Sequence, residues 1–127
     1  MKLGAIAAVA SLLLAGTVTA DDSYTSNKWR VEFDGQALTT GQLVFRVTPR
    51  QGEATDIAVQ IRSGRGENDV ARDVRDAFSA KLSPERFSVE VDDGEDVLVK
   101  KKDGQPDFAL ELVEANVQNV SVKVEGE

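Results

Sequence analysis

The 127-residue chain carries 15 Lys and Arg against 22 Asp and Glu, a formal net charge of −7, and has neither cysteine nor histidine. That balance disfavours nucleic acid or an anionic membrane as the main partner, because both are met by clustered cations. The missing thiol and imidazole exclude disulfides, soft-metal sites, a thiolate nucleophile and the commonest general base, so stability has to come from packing.

The first twenty residues, "MKLGAIAAVASLLLAGTVTA", place one cation at Lys2 before an apolar run through Leu14 and end in small residues, the build of a secretory signal peptide cleaved before Asp21. The run is too short and too rich in Ala and Gly to span a bilayer comfortably, and no cysteine follows for lipid attachment. Cleavage leaves 107 residues with 14 basic and 22 acidic side chains, a charge of −8. A chain of that length forms one domain with a core of its own.

Residues 21–27, "DDSYTSN", are polar and without period, which predicts a flexible lead-in. In "KWRVEFD" the residues Trp29, Val31 and Phe33 alternate with charged ones, the period of a strand with one buried face. This makes Trp29 a core residue in preference to a ligand-stacking one. After the loop "GQALTTG", the segments "QLVFRVT" and "TDIAVQIR" repeat the alternation, joined by the hairpin-like "PRQGE". The rhythm then changes: Val70, Val74, Ala77, Phe78 and Leu82 recur at helical spacing. Acidic residues and Asn68 at its start, Lys81 in the last turn and Pro84 beyond predict one helix over 67–82. Four more strands are expected in "FSVEV", "VLVKK", "FALELVE" and "VQNVSVKVE". The first three are separated by the turns "DDGED" and "DGQPD", and the last two by the weak turn signal "EAN". The predicted fold is α+β, a mainly antiparallel sheet of six or seven strands with one amphipathic helix packed on one face, a single domain over 28–127.

From "GQLVFRV" through "TDIAVQIRSG" and "ENDVARDVRDAFSAKL" to "FSVEVDDGEDVLVKK", the order resembles the small β-β-α-β-β modules of bacteriophage tail and flagellin-like filament proteins. Val70-Ala71 and Val74 match the helix opening of those modules. This chain departs from them in its leader, its extra strand at 28–34 and the many charges on its helix. The resemblance implies a building or adhesion module, with no catalytic or cofactor residues.

The candidate contact surface is the helix face opposite the apolar stripe: Asp69, Arg72, Asp73, Arg75 and Asp76. Pairs such as Arg72 with Asp69 or Asp76 are weak when exposed, so a solvated face accounts for them and a partner-binding face is the alternative. The acidic turns concentrate carboxylates that could serve calcium, but neither fits the EF-hand pattern, and Asp-Gly is an ordinary hairpin dipeptide. Lys100, Lys101 and Lys102 form a basic run at a strand end, where lysines guard against edge-to-edge pairing.

No metal, cofactor or catalytic residue is assigned. The expected function is a small exported, non-catalytic bacterial protein that binds a protein of basic character, as a structural module or a periplasmic inhibitor or immunity-type factor. One alternative is a carbohydrate-binding module or carboxylate-dependent hydrolase, which calls for a cleft where acidic residues converge. Another is a fibre subunit pairing through "QLVFRVT" or "VQNVSVKVE".

Overall fold

The structure, a computed structural model, describes residues 24–127; the leader and residues 21–23 lie outside the described residues. Its elements are β1 (Lys28–Asp34), β2 (Gly41–Pro49), β3 (Thr55–Ile61), α1 (Glu67–Lys81), β4 (Phe87–Asp92), β5 (Asp96–Lys101), β6 (Phe108–Ala115) and β7 (Ser121–Gly126). The fold is α+β with antiparallel pairing throughout.

The strands divide into two sheets, ordered β4-β5-β1-β7 and β3-β2-β6. Alternation in a sequence reports which face of a strand is buried, not which strand lies beside it. The division is made by the connections. Gly35, at φ 98°, turns the chain out of β1, and a side chain there would collide with the Asn119 carbonyl; the loop then carries the chain to the other sheet. Asp93 and Gly94 also take positive φ and fold β4 back on β5, as the Asp-Gly signal predicts. "QLVFRVT" becomes β2, a central strand paired on both sides, which removes it from the segments available for edge pairing.

Both sheets turn their apolar faces to one core that includes Trp29, Val31 and Phe33 from β1 and Leu43, Phe45 and Val47 from β2. Trp29 is buried, and its indole N–H donates to the Phe108 carbonyl at 2.8 Å, so burial leaves no unmet donor. Residues 24–27 are tied to the fold: Ser26 and Phe108 exchange backbone hydrogen bonds of 2.9 and 3.0 Å, and Tyr24 packs edge-on against Trp29.

Helix α1 packs against β3 and β4, edge strands of the two sheets, and also reaches β1 and β5. Val70, Val74 and Phe78 are fully buried, and Phe78 meets Phe45 edge-on at 5.2 Å. Ala71 is buried as well, while Ala77 is only half-buried, so the stripe lies slightly to one side of its expected position.

Candidate functional site

The structure places the predicted contact residues together on the outer side of α1, but pairs them with each other. Arg72 bonds Asp69, and Arg75 Nε donates to Asp76 Oδ1 at 2.8 Å. Asp73 is held by a residue absent from the sequence-based set, Arg65, whose Nη2 and Nε donate to its two oxygens at 2.8 and 3.1 Å. Three arginines therefore meet three aspartates, and the face is charged but nearly neutral. The Asp73 hydrogen bonds also hold the Arg65 guanidinium more firmly protonated than usual.

A second assembly occupies the outer face of the four-stranded sheet. Arg30 faces away from the core because its neighbours Trp29 and Val31 face into it. Its Nη1 donates to Asp92 at 3.1 Å and to Asp96 at 2.7 Å, while its Nε donates to Glu127 at 2.7 Å. Lys28 reaches the other Glu127 oxygen at 3.3 Å. The hydrogen bonds that Arg30 donates to Glu127, Asp96 and Asp92 raise its own pKa further, and the one to Glu127 lowers the pKa of that carboxyl below its ordinary value. Outward alternation in β1 exposes Arg30 to a sequence reading, but its partners emerge only once β5 and β7 flank β1.

Asp92, Asp93 and Asp96 also lie close enough to share a cation. Arg30 already engages two of these carboxylates, and three oxygens fall short of the six to eight that calcium takes. Asp92 and Asp96 belong to the Arg30 assembly.

Below this assembly lies a shallow hollow of about 420 Å³ between β1, β7 and the start of α1. Glu32, Asp34, Glu67, Glu95 and Asp96 line it, with Lys123 the one cation among the lining residues. Glu67, at the first turn of α1, accepts a hydrogen bond from the Gly35 backbone N–H at 3.1 Å, which fixes one wall. A larger groove of about 560 Å³ runs between the β2–β3 turn and the end of α1, with charges of both signs from Arg50, Glu53, Lys81 and Arg86.

The basic run is dispersed. Lys100 lies 3.8 Å from Glu90, Lys101 is 3.4 Å from Asp107 and donates to the Gln105 carbonyl, and Lys102 is exposed. Among the described residues no helix is long and apolar enough to cross a membrane. No protein-family model and no curated protein matches this chain. Along the stretch β2-β3-α1-β4-β5, β2 and β3 belong to one sheet and β4 and β5 to the other.

Proposed function

We propose that this chain is a small exported bacterial protein without catalytic activity that works by binding another protein. It would act as a structural or adhesion-like module, or as an inhibitor or immunity-type factor, in the periplasm or outside the cell. Export rests on the composition of residues 1–20. The observation that carries the reading is the hollow lined by Glu32, Asp34, Glu67, Glu95 and Asp96, walled on one side by the first turn of α1. Carboxylates from several elements, with a single lysine, favour a basic surface and speed its approach more than they deepen the final affinity.

The test is chemical crosslinking in the native envelope and secreted fractions, comparing the unaltered protein with a Glu32→Gln, Asp34→Asn, Glu95→Gln variant. A discrete protein partner should be recovered by the first, lost by the second, and weakened as salt is raised. Equal recovery by both would sink the assignment of the hollow.

The same concavity favours a second reading, a carbohydrate-binding module or carboxylate-dependent hydrolase, because it gathers more than the two carboxyl groups such chemistry uses. Saturable binding of a neutral oligosaccharide, abolished by the same substitutions, would replace the first reading.

A further inference from the structure

Two sheets leave four edge strands: β3, β4, β6 and β7. Helix α1 packs against β3 and β4, and Ser26 bridges to β6 at Phe108. The outer edge of β7 pairs with no strand among the described residues; Tyr24 and Ser26 pack against Gly126 at one end of it.

Which backbone groups β7 presents follows from its ladder with β1, unbroken from Asp34↔Ser121 to Trp29↔Gly126. The Glu127 N–H donates to the Lys28 carbonyl at 2.8 Å, which turns the odd-numbered residues of β7 toward β1. The other side of β1 agrees: Phe33 N–H donates to the Glu95 carbonyl and Lys101 N–H to that of Asn27, leaving the even residues of β1 for β7. Val122, Val124 and Gly126 therefore direct N–H and C=O outward, and none of these groups makes another backbone hydrogen bond among the described residues. The side chains of Lys123 and Glu125 stand exposed between them.

We propose that β7 is a self-association surface: two copies of this chain join β7 to β7 antiparallel about a twofold axis at Val124, making one continuous eight-stranded sheet. This goes beyond the function proposed above and involves a different partner. In that register Val124 bonds Val124 of the second copy and Val122 bonds Gly126 of the second copy, so every outward backbone group is used. Lys123 then faces Glu125 of the second copy, and Glu125 faces its Lys123, at the positions where cross-strand side chains come closest. Moving the axis by one residue sets Lys123 against Lys123 or Glu125 against Glu125. Charge selects the register that the backbone permits. A lysine in an edge strand ordinarily guards against such pairing; here Glu125, two residues on, supplies its complement. The contact is isologous, so it consumes the edge and closes at a dimer, and its short length makes the dimer weak.

Sedimentation equilibrium of the purified protein from micromolar to millimolar concentration tests this. The mass should rise to twice that of the monomer and level off. Lys123→Glu and Glu125→Lys should each weaken association about tenfold or more, since each sets like charges across both pairs. An equimolar mixture of the two variants should regain the dimer, because opposite charges again meet at both pairs; misfolded variants could not produce that rescue. Val124→Pro removes an outward N–H while sparing the ladder to β1, and should also leave monomer. Monomer alone at millimolar concentration, a dimer indifferent to both charge reversals, or a mass that climbs past the dimer would each overturn the proposal.

Discussion

The outer face of α1 and the outer face of the four-stranded sheet both set arginines among carboxylates, yet they are built in opposite ways. On α1, Arg72 pairs with Asp69 across one helical turn and Arg75 with its immediate neighbour Asp76, so both pairs are local in the sequence. Arg30 binds carboxylates 62, 66 and 97 residues away, which meet only in the folded chain. The local pairs are also more exposed: the Arg72 side chain is 52% accessible and that of Arg30 20%. Residues alike in composition thus differ in what they contribute. The helix face holds exposed local pairs, while the Arg30 assembly joins β1, the β4–β5 turn and Glu127.

Breaking the long-range assembly should have the larger effect. Arg30→Met keeps an apolar stem in place but leaves Asp96, whose side chain is 9% exposed, beside Asp92 without a countercharge. Stability should fall by about 2–3 kcal/mol, read from the urea midpoint. Adding Asp96→Asn to Arg30→Met should recover part of that loss, because one uncompensated carboxylate is removed. A loss no larger than that of an exposed charge would mean the cluster is not what joins these elements.

A smaller and more specific effect is expected from pH. The Arg30 hydrogen bond holds the Glu127 pKa below its ordinary value of 4.5, with Lys28 adding to the shift. A carboxylate with a lowered folded pKa binds protons more weakly when folded than when unfolded. Its contribution is therefore complete above the ordinary glutamate range and is lost as pH falls from there through the lowered value. Glu127→Gln should leave a flatter stability profile across that acidic window and converge with the unaltered protein once pH lies below it. Parallel profiles at every pH would show that Arg30 gains nothing from this partner.

The same contrast marks what was legible in the sequence. Strands and helix could be read because burial imposes a local period: Trp29, Val31 and Phe33 in β1, and Val70, Val74 and Phe78 in α1, all lie inward as spaced. The Asp-Gly turns could be read because positive φ at Gly94 and Gly104 favours that chemistry. Strand neighbours could not. Nothing local tells β1 that it will lie between β5 and β7 instead of beside β2, so the two-sheet division, the Arg30 assembly and the carboxylate hollow stayed hidden. Leu98 is the same case in miniature, 5% exposed although Val97 and Val99 on either side of it face the core. The bulge in β6 is another: Val44 pairs Glu114 and Phe45 pairs Leu112, which leaves Val113 unpaired and 40% exposed, where simple alternation gives no sign of an extra residue.

The smallest effect is expected where the sequence drew most attention. Arg72→Ala removes the partner of Asp69, but Asp69 remains within 3.9 Å of Arg65, and both carboxylate and solvent stay accessible to each other. Alanine also has the higher helix propensity, which offsets part of the lost pair. Stability should change by no more than about 0.5 kcal/mol, and the difference should shrink further in high salt. A double-mutant cycle with Asp69→Asn should return a coupling of a few tenths of a kcal/mol. Should Arg72→Ala instead cost as much as Arg30→Met, sequence distance and burial would not be what separates the two assemblies. The outer face of α1 would then be a structural network in its own right, with less freedom to serve as a contact surface.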